Sequence, residues 1–498
     1  MGRASATGGA IPLRPAPDAG QVPLPARFGL TPDPATTALD GGLVLLGGSP
    51  LRLLRLTAAG SDCCRRWSAG QPVGTGTAER RLARRLVRSG AFQPRPPSAE
   101  VPEVAVVVPV RDRPEALGRL LEALAGGELA GAPVVVVDDA SERPQATEAV
   151  AARHGATVVR LGRHQGPGGA RNAGLAATSA PVVVFLDSDC VPRPGWLAPL
   201  AAHLADPLVA LVAPRVVPAT GPPGWLARYE AVRSSLDQGP EPGLVRHGSR
   251  LGYVPSAALV ARRSALGPAP FDPGLVGGED VDLVWRLADA GWDVRYEPAA
   301  VVEHDPLPTA RAWLGRRAFY GTTAGPLARR HPGRLAPVAV SAWTAGTWAL
   351  LAARRPSAAA GLLGISTAVL ARRLEGVVDR PVPVAARLAG SGSVRAVVPV
   401  AGGLTRAYGP LLLAALASRR LRPAAAVALA APVVADYRRQ RPDLDPLRYA
   451  LAHLADDLAY GAGLWAGCWR ERTWGPLIPQ VPLNAPEWSR RGVRPPSR

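Results

Sequence analysis

The stretch Val104 to Val110, with the sequence VAVVVPV, decides the fold of this chain. It is entirely apolar, rich in Val and too short for a typical helix, which is the pattern of a strand buried on both faces of a parallel sheet. A helical pattern follows from Arg113 to Ala125, and further apolar runs cover Pro133 to Val137 and Val182 to Leu186. Because strands alternate with helices, we predict an α/β sheet with crossover helices.

Composition narrows the class of protein. The chain has 498 residues, its 58 basic residues are all Arg, and 39 acidic residues leave a net charge of +19. The lack of Lys excludes Schiff-base chemistry and the phosphate-binding lysine of Walker-type sites. The positive charge suits phosphate-bearing ligands and anionic lipid surfaces, while nucleic acid is not expected as a partner. Four cysteines without a CxxC pair indicate a reducing, cytoplasmic compartment.

The chain divides into four parts by composition. Residues 1–24 are rich in Pro, Ala and Gly and are expected to form a flexible tail without a signal peptide. Residues 25–98 predict two short strands over Leu43 to Leu56, then helices over Ala58 to Ser68 and Glu79 to Ser89, as in a small winged-helix-like module. The Pro-rich stretch Gln93 to Pro97 is expected to be a linker. Residues 99–325 hold the α/β sheet, and 326–498 form an Ala-rich helical region.

This C-terminal region leaves its relation to the membrane open. Leu335 to Ala353 and Pro356 to Ala371 carry almost no charge, although they are only mildly hydrophobic. Packed helices of a soluble bundle, helices on a membrane surface and a spanning hairpin all remain possible. A further helix carries Leu447, Leu451, Leu454 and Leu458 on one face, and we expect that stripe to be core.

The segment Asp187-Ser188-Asp189 follows the apolar run that ends at Leu186. Residues i and i+2 of an extended chain point the same way, so the two carboxylates can converge on one hard metal ion. The alternative is the start of a loop with two solvated acids. Since ligands bind beyond the carboxyl ends of strands in open α/β sheets, we favour a metal site.

Other polar residues follow the remaining strands. Asp139 stands after Val137 and suits a base or a ribose hydroxyl, and Arg111 stands after Val110. The Gly-rich segment from Gly166 to Asn172 lacks the GxGxxG pattern, which argues against a nicotinamide dehydrogenase. Its Arg171 could meet a phosphate, or it could be an exposed side chain at a helix N-terminus.

The segment Gly277-Gly278-Glu279-Asp280-Val281-Asp282 places acids in the first turn of a helix that ends near Gly291. The helix dipole favours acids there, so structure alone could explain them. Three acids behind a Gly pair exceed what capping needs, and Asp280 near a sugar hydroxyl could act as a general base. His304 follows another apolar strand and is either structural or a further ligand of the metal.

Taken in order, these motifs resemble a family 2 glycosyltransferase of the GT-A fold over residues 104–320. The matching pieces are VVVPVRDRPEALGRLL, VVVVDDAS, GPGGARNAG, VVVFLDSDC, GGEDVDLVWRLADAGW and VVEHD. The resemblance implies a uridine pocket lined by Pro109, Arg111 and Asp139. It implies a divalent ion, Mg²⁺ or Mn²⁺, and the diphosphate held by Asp187 and Asp189, with His304 as a further metal ligand. It also implies Asp280 as the base, Glu279 as its neighbour and inversion at the anomeric carbon.

Residues 25–98 are similar to PqqD-like peptide-recognition modules. Such a module ahead of a family 2 domain and a helical tail resembles the mycofactocin-system glycosyltransferases of actinobacteria. That resemblance implies transfer of β-linked glucose from UDP-glucose to a modified peptide, the mycofactocin precursor. The alternatives are a lipid-linked or polysaccharide acceptor at the inner face of the cell membrane, and a non-enzymatic peptide-binding scaffold. A QxxRW box is absent, and Arg316 to Tyr320 occupies the corresponding region, where it could bind diphosphate or acceptor.

Overall fold

The structure is a computed structural model, and it describes residues 13–221 and 224–482. Within these ranges the strands are β1 Gly29–Pro32, β2 Thr37–Leu39, β3 Val44–Gly47, β4 Arg52–Arg55, β5 Phe92–Arg95, β6 Val104–Val110, β7 Val134–Asp138, β8 Thr157–Arg160, β9 Val182–Leu186, β10 Cys190–Pro192, β11 Val209–Pro218, β12 Gly243–Val245, β13 Ala258–Arg262 and β14 Asp293–His304.

The α-helices within the same ranges are α1 Ala58–Ser68, α2 Thr77–Ser89, α3 Pro114–Ala125, α4 Pro144–Arg153, α5 Gly166–Ala176, α6 Leu197–His203, α7 Trp225–Arg233, α8 Glu279–Asp289, α9 Ala310–Thr322, α10 Ala324–Arg330, α11 Ala342–Ala352, α12 Pro356–Leu374, α13 Pro381–Arg395, α14 Val397–Ala415, α15 Arg422–Gln440 and α16 Pro446–Glu471. They belong to two compact units. Unit one contains the described residues within 1–33, 65–221 and 234–306, and unit two contains those within 34–64, 222–233 and 307–498.

Unit one is built on a mixed nine-stranded sheet, and the predicted α/β fold is confirmed. Its strand order is β10-β14-β11-β13-β9-β6-β7-β8, with β12 paired to β14. Strands β8, β7, β6 and β9 are parallel, whereas β13 runs antiparallel to its neighbours β9 and β11. The chain passes from β6 outward to β8 and then returns through α5 to β9 on the other side of β6. This reversal opens a crevice at the carboxyl ends of β6 and β9, where such sheets bind ligands.

The core strands form because their sequences can be buried on both faces. Every residue of β6 is buried, and α3 covers the sheet with Leu117, Leu120, Leu121 and Leu124. Helix α5 approaches the sheet so closely that a Cβ at Gly174 would overlap a methyl carbon of Val107. Glycine is therefore required at this position of α5 by the close packing of helix on strand.

The strands and helices expected within residues 25–98 are present, together with β1, β2 and β5, which were not predicted. Thr57 caps α1, because its Oγ1 accepts a hydrogen bond from Gly60 N at 3.1 Å. Gln93 to Arg95 is not a linker but part of β5, which pairs antiparallel with β1. The expected loose tail is described only from residue 13, and there it is fastened, since Trp292 Nε1 donates to the carbonyl of Arg14 at 2.7 Å. The division of the chain into these four parts stays a prediction.

Helix α2 is tied to the sheet of unit one by a buried ion pair. Both terminal nitrogens of Arg84 donate to the carboxylate of Asp206, each at 2.6 Å, and Arg84 Nη1 lies 3.7 Å from Asp293 Oδ2. Arg88 Nε lies 3.1 Å from the other oxygen of Asp293. Such fork-to-fork geometry is both strong and directional, so it fixes the orientation of α2.

Unit two is mostly helical. The antiparallel strands β2, β3 and β4 belong to it, and Val44 of β3 packs against α12 and α13. Helices α9 and α16 pack through glycines: a Cβ at Gly463 would overlap the carbonyl oxygen of Ala318, and one at Gly467 would overlap that of Thr322. Arg317 of α9 is buried and donates to Glu230 at 3.2 Å, so it is not available for the diphosphate or acceptor binding suggested for its region.

The leucine stripe of α16 is not core, contrary to the sequence-based expectation. Leu447 and Leu451 are exposed, and Leu454 and Leu458 are half-buried. The opposite face is buried instead and carries Tyr449, Ala452, His453, Asp456, Asp457, Gly461, Gly463, Leu464, Gly467 and Cys468. Polar side chains with partners occupy the interior side of this helix, so the position of the leucines alone could not predict its orientation.

The uncharged segments before residue 372 do not form a spanning hairpin. Helix α11 has 11 residues, which at about 1.5 Å per residue cover only about half of a bilayer core. Among the described residues, one helical stretch, Pro381–Ala415, could cross a membrane by length and composition alone, with a mean hydropathy of 1.2. Tyr408 interrupts this stretch with non-helical backbone angles. A single stretch of this kind is weak evidence for a spanning segment.

Candidate active site

The candidate residues lie where the strands of unit one end. Asp139 follows β7, Arg111 follows β6, and Asp187 to Asp189 connects β9 to β10. Strand β10 pairs with β14 so that Cys190 lies opposite His304, which brings His304 beside Asp189. Helix α8 begins at Glu279 and presents its first turn to the same region. Sheet topology thus gathers residues that are up to 193 positions apart in sequence, Arg111 and His304 being the outermost.

Arg171 joins two of the candidate acids. Its guanidinium donates to Asp187 Oδ1 at 2.5 Å and to Glu279 Oε1 at 2.9 Å, and the residue is only 1% exposed. Burial alone would lower the pKa of Arg171, but the charges of Asp187 and Glu279 outweigh it and raise the pKa. The guanidinium is therefore a fixed cation with both terminal nitrogens used, which differs from the exposed arginine or phosphate ligand expected from the sequence.

The surroundings of Asp187 shift the pKa of its carboxyl in opposite directions. Burial raises the pKa of its carboxyl, the Arg171 charge lowers it and the nearby Asp189 raises it, with a net upward direction. A carboxylate in this balance gains from any additional cation placed next to it. The second carboxylate oxygen of Asp187 is not used by Arg171 in the hydrogen bonds above, which leaves a lone-pair direction for a ligand.

Asp189 lies next to two basic side chains. Arg113 Nη1 donates to Asp189 Oδ2, and His304 Nε2 lies 3.5 Å from the same oxygen. His304 Nδ1 faces the carbonyl of Asp305 at 2.8 Å. Two carboxylates and an imidazole are donors that Mn²⁺ accepts, and the carboxylates also suit Mg²⁺. Across residues 13–221 and 224–482 no three such side chains already converge on one point, so here Arg113 supplies the positive charge next to Asp189.

Asp138 and Asp139 form the other side of the crevice. Asp139 is buried and accepts a hydrogen bond from Gln165 N at 2.7 Å, while His164 Nδ1 lies 2.7 Å from its second oxygen. Asp138 accepts from Ser141 N at 2.9 Å. Pro109 is buried inside β6 opposite Val137, and Arg111 is exposed and 3.5 Å from Asp112. Arg111 is therefore accessible to a ligand, whereas both oxygens of Asp139 already have partners and Pro109 lies within the strand.

Asp280 has hydrogen-bond partners of its own, different from those of Asp187 and Asp189. Its Oδ2 accepts from Ser256 N at 3.1 Å and its Oδ1 from Val281 N at 2.8 Å, while Glu279, and not Asp280, is paired with Arg171. Burial first and the charge of Glu279 second raise the pKa of Asp280 to about 7. A carboxylate with a pKa near neutrality can accept a proton efficiently, which is what a general base requires.

The structure adds residues that the sequence did not single out. Arg113 and His164 contact the acids Asp189 and Asp139, and the backbone of Ser256 holds Asp280. Arg113 lies two residues after Arg111 at the start of α3, so its place beyond β6 was a signal that the sequence offered. Ser256 contacts Asp280 through its main-chain N–H, which every residue except Pro has, so the sequence could not indicate this contact.

Three comparisons with known proteins bear on this site. The family model described as "Glycosyl transferase family 2" matches residues 105–266, which contain β6 to β13. The chain is 41% identical over 478 residues to the pre-mycofactocin glycosyltransferase of Mycobacterium tuberculosis strain H37Rv, covering 92% of this chain and 98% of the relative. It is 37% identical over 207 residues to an uncharacterized glycosyltransferase of Mycobacterium bovis, covering 39% of this chain and 85% of that protein.

Among solved structures, the chain resembles a mannosyltransferase from Pyrobaculum calidifontis in complex with GDP-Man and Mn²⁺. The likeness has a TM-score of 0.41 with 20% sequence identity, and it covers 74% of this chain and 89% of that one. No functional conclusion follows from a similarity at this level.

Proposed function

The chain belongs to the family of the pre-mycofactocin glycosyltransferases and is a glycosyltransferase with a family 2 domain, and from this we propose that it glycosylates the mycofactocin precursor. The donor we propose is UDP-glucose, and the product is a β-linked glucoside. The observation that carries the proposal is the pairing of an acid whose pKa is about 7, Asp280, with a separate cluster of acids at the strand ends. Asp280 acts on the acceptor hydroxyl, and the acids at the strand ends bind the donor.

Asp139 and Arg111 bind the nucleoside end of the donor, on the side of β6 and β7, with Pro109 beneath them. Asp189, Asp187 and His304 would hold a divalent ion together with the diphosphate. When bound, such an ion offsets the negative charge that builds on the leaving diphosphate. Arg171 positions Asp187 and Glu279 through its two hydrogen bonds, at 2.5 and 2.9 Å.

Asp280 takes the proton from the acceptor hydroxyl as that oxygen attacks the anomeric carbon. The bond to the diphosphate breaks on the opposite face of the sugar, so the configuration at the anomeric carbon inverts. The hydrogen bonds from Ser256 N and Val281 N hold both oxygens of Asp280 in place, and a positioned base of this kind typically contributes about 10²–10⁴-fold. For the acceptor we propose a modified peptide, recognised by the PqqD-like module of residues 25–98.

The experiment incubates the purified full chain with a panel of UDP-sugars and the peptide-derived acceptor, followed by mass spectrometry of the acceptor. We expect a mass increase of one or more hexose units with UDP-glucose, lost on addition of EDTA and restored by Mg²⁺ or Mn²⁺. Transfer in EDTA at the full rate would refute the metal requirement. Transfer to lipid-linked or polysaccharide acceptors, with none to the peptide, would favour the alternative acceptor class and refute the peptide proposal.

A further inference from the structure

The positive charge of the chain is concentrated in its C-terminal part. Residues 307–498 contain 27 Arg and 9 acidic residues, whereas residues 1–306 contain 31 Arg and 30 acidic residues. Nearly the whole net charge of +19 therefore belongs to the helical region. Of the 24 large apolar side chains that are exposed in the described part of the chain, 18 lie in 307–482. A basic region that also exposes apolar surface suits an anionic and apolar partner.

Helix α16 shows where these two properties meet. At 100° per residue, six apolar side chains of this helix fall within an arc of about 60°. At the helix ends these side chains are strongly exposed: Leu447 by 69%, Leu451 by 60%, Trp465 by 43% and Trp469 by 75%. The set, called here the α16 stripe, comprises Leu447, Leu451, Leu454, Leu458, Trp465 and Trp469.

The opposite face of α16 explains why the stripe points outward. Asp456 Oδ2 accepts from Tyr229 at 3.0 Å, and Arg317 Nε lies 2.8 Å from Asp456 Oδ1. Asp457 Oδ1 accepts from Arg406 at 2.9 Å and from Arg233 at 3.3 Å. Breaking a buried ion pair costs about 3–5 kcal/mol, and rotating α16 to bury its leucines would break the pairs of both Asp456 and Asp457. The stripe is left on the surface by the ionic packing of the other face.

The C-terminal end of the stripe has the residue types of a membrane interface. Trp469 and Trp474 form an edge-to-face pair with ring centroids 6.1 Å apart. Arg470 and Arg472 are exposed directly after Trp469, and Ile478 is exposed beyond the helix. Tryptophan rings prefer the headgroup level of a bilayer, and each Arg near an anionic surface contributes about 1 kcal/mol of attraction.

We propose that the α16 stripe, together with Trp474 and the neighbouring arginines, docks on the surface of an anionic lipid bilayer with α16 lying in the plane of the interface. The buried ionic face stays packed in unit two while the stripe enters the boundary between headgroups and acyl chains. A bilayer fits better than a nucleic acid, because a phosphate backbone would leave the four exposed apolar side chains of the stripe in water. The proposal is independent of the acceptor.

Vesicle co-sedimentation of the full chain tests this docking. With vesicles of phosphatidylcholine mixed with phosphatidylglycerol we expect binding, a blue shift of tryptophan emission and weakening at high salt. Vesicles of phosphatidylcholine alone should bind the protein at least about fivefold more weakly. The double variant Trp465→Gln/Trp469→Gln should lose binding on the order of tenfold, and Arg470→Glu should lose it about fivefold or more. The matched control Val101→Gln removes an exposed apolar side chain outside this region and should bind as the wild type does.

Four results would overturn the proposal. The first is that the protein stays in the supernatant with both kinds of vesicle. The second is that the double Trp variant binds anionic vesicles as well as the wild type does while its circular dichroism is unchanged. The third is that wild-type protein is a dimer by sedimentation velocity and the double variant a monomer, which assigns the stripe to a second copy. Tighter binding to duplex DNA than to the anionic vesicles would likewise assign the basic region to nucleic acid.

Discussion

The proposed role of Asp280 as general base predicts how the activity depends on pH. Burial and Glu279 raise its pKa to about 7, so it is protonated below that pH in the folded chain. Only the deprotonated form can accept a proton, and we therefore expect kcat/KM to rise with pH and to level off above about 7. The measurement is a pH profile of transfer at saturating metal. A profile that is flat between pH 5 and pH 8 would contradict this role for Asp280.

Asp280→Asn tests the same carboxyl directly. The amide cannot take a proton, so turnover should fall by about 10²–10⁴-fold while UDP still binds. Asp289→Asn, an exposed position at the end of the same helix, is the control and should keep normal turnover.

The raised pKa of Asp280 also means that the folded chain retains a proton that the unfolded chain releases. The contribution of Asp280 to stability therefore decreases as the pH rises from its ordinary carboxyl value to about 7.

Arg171 is expected to act by positioning two other side chains. Arg171→Met leaves Asp187 and Glu279 without their shared cation, and removal of one partner of a buried pair costs about 3–5 kcal/mol. We expect that loss in chemical denaturation, together with a larger fall in kcat than in donor affinity. Arg171→Lys should recover stability more than activity, because an ammonium cannot reproduce the planar fork. The exposed Arg153→Met is the control, and an equal effect of both Met variants would contradict the assignment.

At this scale the sequence predicted the identity of the acids better than their partners. The strand-end position of Asp187 and Asp189 could be read from the apolar run before them, as could the acids at the start of α8. The sequence did not show that the two carboxylates have different basic partners. Asp187 is held by Arg171, 16 positions away along the chain, and Asp189 by Arg113, 76 positions away. An i, i+2 spacing fixes the direction in which side chains leave a strand, but arginines that are distant in sequence determine the positions of the carboxylate oxygens.

The glycine contact between α9 and α16 gives a prediction for these elements. Gly463→Ala places a Cβ on the carbonyl oxygen of Ala318, so the two helices must separate. Overpacking of this kind typically costs about 1–3 kcal/mol, measurable as a lower midpoint of thermal unfolding. Gly361→Ala in α12 meets no atom within 4 Å and should be neutral or stabilising by up to about 1 kcal/mol, because Ala favours helix. A similar loss in both variants would contradict close packing at Gly463.

The sequence correctly predicted that α16 is a helix, but it predicted the wrong face of this helix as buried. The Leu spacing of 447, 451, 454 and 458 correctly indicated a helix, and α16 spans Pro446–Glu471. Hydrophobic periodicity assigns the apolar face to the interior, and here the interior is occupied by Asp456, Asp457 and His453 with their partners. Those partners come from α7, α9, α14 and α15, which no local pattern could supply. By contrast β6 and β9, buried on both faces, left no alternative orientation and were predicted within one residue.

At the scale of the molecule, the N-terminal segment is part of the catalytic unit's stability. Arg84 is bidentate to Asp206 and close to Asp293. Arg84→Met should therefore cost unit one about 3–5 kcal/mol, seen as a lower denaturation midpoint of the glycosyltransferase sheet. Arg81→Met on the exposed side of α2 is the matched control. If residues 25–98 were a freely separable module, Arg84→Met would leave that midpoint unchanged, and this result would refute the coupling.

The outward-facing stripe of α16 has a practical consequence for handling the protein. Ion pairs hold the inner side of this helix, and Leu447, Leu451 and Trp469 lie largely exposed on its outer side. Trp465 differs from them, because its Nε1 donates to the carbonyl of Ala407 at 2.7 Å. Replacement of Leu447, Leu451 and Trp469 by Glu or Gln should therefore improve yield and monodispersity in detergent-free buffer without loss of melting temperature. The same property makes aggregation during concentration an expected behaviour of the unmodified chain, and a small amount of mild detergent is its natural remedy.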